Sequence, residues 1–145
     1  MDIIRRNTDY AVRAMVNLAA NWGRGPASAR QIALKEDISY QLTCKLMQRL
    51  SRAKLVKSSM GAAGGFQLTK KPSKINIFEI INAIQGPVQL NKCLFGSNKC
   101  SRQPNCSVST KLYELQKYME TYLTNITLDE ILNSKNGKKK NDRKK

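Results

Sequence analysis

The 145-residue sequence predicts a mainly α fold with a small β-wing: a winged helix-turn-helix followed by a long dimerisation helix. Three observations predict it. Short stretches of helical apolar period, several preceded by Ser or Asn caps, succeed one another through the N-terminal half. A glycine-rich turn flanked by two strand-like runs follows directly. Further on, an apolar seam of about two and a half heptads marks a long helix.

The first helix is expected from Thr8 or Asp9 to Trp22, with Ala11, Met15, Leu18 and Trp22 on one stripe and Val12, Val16 and Ala19 beside it. Gly23 to Pro26 ends it. Ser28 with Gln31 forms a capping box that opens a second helix through about Glu36. Ser39 caps a third helix to about Ala53 after only Asp37 and Ile38, which is helix-turn-helix spacing. Leu55 to Ser59 and Phe66 to Thr69 flank Gly61-Ala62-Ala63-Gly64-Gly65 and make the wing. Asn76 with Glu79 caps a helix through Ile84 that stops at Gly86. Val108, Leu112, Leu115, Met119, Tyr122 and Ile126 form the seam, which wants a partner helix and marks a dimer. Thr127 with Glu130 opens a short terminal helix to about Asn133. The expected organisation is a DNA-binding head over 1–86, a cysteine-rich loop over 87–107, a dimerisation helix and short terminal helix over 108–133, and a disordered basic tail over 134–145.

A net charge of +16 points to a polyanionic partner. The tail holds seven basic residues against one acidic residue, whereas residues 1–76 hold 14 against four, so the folded charge concentrates in the helix-turn-helix half. No Ser/His/Asp set, Cys/His pair or phosphate-cradling loop occurs, and histidine is absent, so no enzyme is expected. With no basic leader and no segment near the roughly 18 apolar residues of a membrane span, the cytoplasm is the expected compartment.

On the third helix Leu42, Leu46, Leu50 and Ala53 fall on one side, while Gln41, Lys45, Gln48 and Arg52 fall within about 60° of one another on another. Gln, Lys and Arg suit base edges and phosphates in the major groove of double-stranded DNA, so this stripe, with Ser39 and Arg49 beside it, is the candidate reading face. A solvated basic face is the plain alternative; the neighbouring wing and the local charge favour DNA. Gly61 and Gly64 of the wing permit close approach of the backbone to a phosphate wall. Cys44 is most simply a small filler.

Cys93, Cys100 and Cys106 lie in an irregular run containing Gly, Pro, Asn and Ser, whose thiols can converge on one point. In a reducing compartment such cysteines are ligands or reactive thiols more often than disulfide partners. The spacings of six and five intervening residues, without a C-x-x-C pair, argue against a structural zinc finger. An iron-sulfur cluster, zinc and no metal all remain open on the residues alone.

Thr8-Asp9-Tyr10-Ala11-Val12-Arg13-Ala14-Met15, the helix-turn-helix, Gly61-Ala62-Ala63-Gly64-Gly65-Phe66-Gln67-Leu68, the three cysteines and Asn125-Ile126-Thr127-Leu128-Asp129-Glu130 together resemble the Rrf-type winged-helix regulators. That family includes the iron-sulfur-cluster biogenesis regulator and the nitric-oxide-sensing repressor. The resemblance covers nearly the whole chain except the tail. It implies a homodimer crossing over through its long helix at Leu112, Leu115, Met119, Tyr122 and Ile126, bound to a palindromic operator, with a cluster tuning affinity. It implies a repressor sensing nitric oxide, redox or iron and cluster status. Cys93, Cys100 and Cys106 would hold the cluster, 4Fe-4S in preference to 2Fe-2S. Where the biogenesis regulator has a ligand histidine this chain has Ser109, so the implied fourth ligand is Asp9, which matches the aspartate that the nitric-oxide-sensing repressor contributes from its other protomer. In the wing, Met60 stands where the family often has Arg. Two other functions use the same residues: an electron-transfer or thiol-redox protein that does not bind DNA, and a cluster-free winged-helix regulator.

Overall fold

Two reciprocal caps set the frame. The Gln31 amide donates to Ser28 Oγ at 3.2 Å while the Ser28 amide donates to Gln31 Oε1 at 2.8 Å. The Glu79 amide donates to Asn76 Oδ1 at 2.9 Å and the Asn76 amide to Glu79 Oε2 at 3.1 Å. Each box satisfies two otherwise orphaned donors and so fixes where a helix begins. The computed structural model describes residues 2–94, 100–102 and 105–141, and shows helices α1 (Arg6–Ala20), α2 (Ala29–Glu36), α3 (Tyr40–Arg52), α4 (Ile77–Gln85), α5 (Ser107–Asn125) and α6 (Leu128–Asn141). Strands β1 (Val56–Ser59) and β2 (Gly65–Leu68) pair antiparallel, Val56 opposite Leu68 and Ser59 opposite Gly65. Positions 95–99 and 103–104 of the expected cysteine loop, and 142–145 of the expected tail, lie outside the described residues.

The fold is therefore mainly helical with a small antiparallel wing, as the sequence predicts. Met15 and Leu18 of α1, Ile32 of α2, Leu46, Met47 and Leu50 of α3, Leu68 of β2 and Ile80 and Ile84 of α4 share one core. Each such side chain contributes about 1.5–3 kcal/mol on full burial, and three of them on α3 are enough to seat that helix firmly. Asp37, in the left-handed region at φ 54°, makes the tight turn between α2 and α3.

Several local expectations differ from the structure. Helix α1 starts at Arg6 and ends at Ala20, and Trp22 is exposed, because the chain turns through Asn21 and Gly23 (φ 80°) before the stripe reaches it. Ala53 is exposed, since α3 has already ended at Arg52. The seam on α5 is split. Met119 and Ile126, with Leu123, pack on Ile77, Ile81 and Val88, whereas Val108, Leu115 and Tyr122 face outward together with Tyr118. The heptad pattern marks one broad apolar surface, and α4 covers only one edge of it. At Thr127 only half a capping box forms, the Glu130 amide donating to Thr127 Oγ1 at 3.2 Å. Helix α6 continues past Asn133 to Asn141, so residues 134–141 of the expected disordered tail are helical.

The chain closes on itself at the start of α6. The Ile77 amide donates to the Ile126 carbonyl at 2.9 Å and the Leu128 amide to the Ile75 carbonyl at 3.0 Å, and Leu128 is fully buried in the core of the head.

Candidate nucleic-acid interface and cysteine loop

Ser39 accepts the Leu42 amide at 3.3 Å and starts α3 on a capped turn. Thr43, Leu46, Met47 and Leu50 are buried, so Gln41, Lys45, Gln48 and Arg52 are left exposed on the same helix. Among the described residues neither Lys45 nor Arg52 enters a salt bridge, and both charges are open to a partner. The Ser39 hydroxyl already serves the helix it caps. Arg49 is placed differently from its neighbours: its Nη1 donates to the Ile84 carbonyl of α4 at 3.0 Å, so this guanidinium is engaged within the protein.

Tyr40, the first residue of α3, is half exposed and carries Arg30 of α2 over its ring, 5.5 Å from the centroid. This puts Tyr40 and Arg30 beside the exposed edge of α3. Only an aromatic residue directly after the cap hinted at it in the sequence.

The wing is held onto the head by a short backbone bridge, in which Ala27 and Phe66 exchange bonds at 2.9 and 2.8 Å. Its glycines differ in role. A methyl group on Gly64 would overlap the Ser59 carbonyl, and one on Gly65 the Ala27 carbonyl, whereas Gly61 has open space and a φ of 98°. Met60 projects fully from the tip.

The cysteine loop is anchored by α5. Gln116, only 1% exposed, accepts the Leu90 amide on Oε1 at 3.1 Å, while its Nε2 donates to the Val88 carbonyl at 2.6 Å and to Glu120 Oε1 at 2.7 Å. No sequence pattern singled it out, because it reads as one polar residue beside an apolar seam. Cys93 lies in a 3₁₀ turn, Lys92–Leu94, packed beside α5, and Cys106 is the N-cap of α5, so both ends of the loop meet the same helix. Cys93 and Cys106 are half-buried and Cys100 is exposed.

Three thiol donors on one loop suit a soft or iron-sulfur centre in chemistry and leave it one ligand short. Among the described residues no three cysteine, aspartate or glutamate side chains converge as a metal site. Asp9 sits on the outer side of α1, paired with Arg13 at 3.2 Å, both half exposed. An exposed i,i+4 pair of this kind is worth little and is readily exchanged for a stronger partner. A cleft of about 630 Å³, lined by Asp2, Ile3, Arg5, Gln85 and residues 87–92, separates the start of α1 from the chain leading into the loop.

A family model described as Rrf2, iron-dependent transcriptional regulator, matches residues 4–134. The transcriptional regulator IscR of Pectobacterium atrosepticum is 32% identical over 126 residues, covering 87% of this chain and 76% of that protein. Among solved structures, IscR of T. potens superposes with a TM-score of 0.71 at 30% identity, covering 90% of this chain and 86% of the other. CymR, the global cysteine regulator of B. subtilis, superposes with a TM-score of 0.74 at 26% identity, covering 90% and 96%. Among the described residues no helix is long and apolar enough to cross a membrane.

Proposed function

Because this chain belongs to the Rrf2 family of transcriptional regulators, we propose that it is a homodimeric repressor whose DNA affinity is set by an iron-sulfur cluster on the cysteine loop. It is a DNA-binding regulator and not an enzyme. The observation that carries the reading is the division of α3 into a buried Leu46, Met47 and Leu50 edge and an open Gln41, Lys45, Gln48 and Arg52 edge beside the wing. Those four side chains would meet base edges and phosphates in the major groove, with Gly61 and Gly64 bringing the wing backbone alongside.

Cys93, Cys100 and Cys106 would hold the cluster, 4Fe-4S in preference to 2Fe-2S, and Asp9 of the second protomer would complete it. A cluster with one oxygen ligand supplies a labile corner open to nitric oxide or oxygen. Leu115 and Tyr122, exposed on α5 with Val108 and Tyr118, would form the dimer surface with Leu112 at its margin. A cluster-free regulator is the second reading, supported by the likeness to CymR, the global cysteine regulator of B. subtilis.

Anaerobic purification with visible absorption and iron and sulfide analysis decides between them. Cys93→Ala, Cys100→Ala and Cys106→Ala are each expected to lose the chromophore yet remain folded dimers. Protein that stays colourless after reconstitution would remove the cluster and leave the second reading. Asp9→Ala is expected to keep some iron in a cluster more labile to oxygen; unchanged lability would move the fourth ligand elsewhere.

A further inference from the structure

We propose that the end of α4 is a junction linking the cysteine loop to the DNA-reading helix, and that Arg49 is the positioning residue that makes the link. This rests on the reading of α3 as the reading helix and of the loop as the sensing element.

The last carbonyls of a helix lack intrahelical donors. At the end of α4 the Ile84 carbonyl is met by Arg49 of α3 at 3.0 Å, which places a cation at the negative pole of α4 from a different helix. The next residue, Gln85, accepts the Arg5 amide at 2.9 Å and Thr8 Oγ1 at 2.7 Å on Oε1, and donates from Nε2 to the Ile3 carbonyl at 2.9 Å. Gly86 then turns the chain at φ 82°, and Val88 and Leu90 are held by Gln116 of α5. Between Ile84 and Leu90 the backbone and the Gln85 side chain are thus tied to α3, to the start of α1 and to α5. Cys93 follows directly.

Chain secured this closely has little slack with which to absorb a displacement at Cys93. Movement of the loop passes back through Val88 and Gly86 to Ile84, and from there to Arg49, which lies next to Gln48 and within one turn of Lys45 and Arg52. The start of α1, where Asp9 sits, is tied to the same point through Thr8 and Gln85. By linkage, DNA bound on α3 must steady the start of the loop as much as the loop steadies α3. Arg49 is consequently a relay between two helices, and a phosphate contact is not its task.

The test uses the full chain, with hydrogen exchange read by mass spectrometry and with duplex DNA of the chain's own promoter as the probe. Wild type is expected to show about fivefold slower exchange of the amides at 86–94 when the duplex is bound. Arg49→Met is expected to bind the duplex with an unchanged salt slope but without that slowing, and to exchange at 85–90 about tenfold faster in the absence of DNA. Arg49→Lys, which keeps a donor and the charge, should restore part of the protection. If Arg49→Met does not fold, Arg49→Gln takes its place. A salt slope lowered by about one with exchange at 85–90 unaltered would make Arg49 a phosphate contact and overturn the proposal. Protection at 86–94 that survives in Arg49→Met would also overturn it. Should wild type fail to bind the duplex, the reading of α3 fails, and exchange at 85–90 without DNA still decides whether Arg49 holds α4: unchanged exchange sinks the relay.

Discussion

Gln116→Ala is expected to be the most damaging polar-to-alanine change in the chain. The side chain satisfies two backbone groups of the segment leading to the cysteine loop, the Leu90 amide and the Val88 carbonyl, and both lose their partner at once. A buried group left unsatisfied costs about 1–3 kcal/mol. Val88 is buried and Leu90 half-buried, so the second group recovers part of its loss from water, and the sum is about 2–4 kcal/mol. Glu120 loses its bond to Nε2 as well, but it is half-buried and water replaces that partner. For a chain of this length about 3 °C of melting temperature corresponds to each kcal/mol, which gives a fall of about 6–12 °C. Thermal denaturation at fixed protomer concentration reads it, because dissociation of any oligomer would otherwise contribute. Gln116→Met separates the causes, since it keeps most of the volume and none of the hydrogen bonds. It should melt close to Gln116→Ala. A wild-type melting temperature for Gln116→Met would show that the side chain matters for packing alone, and the account of the loop anchor would be wrong.

Gly64→Ala should destabilise the wing by about 1–3 kcal/mol, because the new methyl meets the Ser59 backbone, while Gly61→Ala, with open space around it, should cost only about 1 kcal/mol; equal melting temperatures would contradict the distinction. Lys45→Ala and Arg52→Ala should each weaken promoter binding and lower the slope of log affinity against log salt by about one, without changing the melting temperature, and unaltered binding by both would mean that DNA meets another face. Leu115→Glu with Tyr122→Glu should convert a dimer to a monomer in sedimentation equilibrium, since charge is placed on the exposed apolar edge of α5; a persistent dimer would locate the interface elsewhere.

Features whose cause lies within a few residues were legible in the sequence. Ser28 with Gln31 and Asn76 with Glu79 act at three-residue separation, and the helices they open begin where they indicate. The pairing across the wing follows from Gly61, Gly64 and Gly65 in the same way. Gln116 and Gln85 were not legible, because their partners lie 26 to 82 residues away and no periodicity marks them. Arg49 shows the same limit from the other side. Its type and neighbourhood read as a DNA contact, while the carbonyl it meets is 35 residues along the chain. The α5 seam was visible as an apolar surface, but only α4 could divide it into an inner edge at Met119 and an outer edge at Leu115.

The backbone bonds between 75–77 and 126–128 bear on how this protein is made. Leu128 lies in the same core as Met15, Met47 and Leu50, so one wall of the winged helix comes from residues translated after the cysteine loop and α5. Domains generally fold as units during synthesis, so a core that lacks one wall stays incomplete until that wall emerges. Here the emerging head waits with an open hydrophobic face until Leu128 arrives, and the cysteine loop and α5 are already outside by then. A ribosome stalled within α5 would therefore display an unfinished core rather than a completed winged helix, so the head is finished only after the cysteine loop has been synthesised.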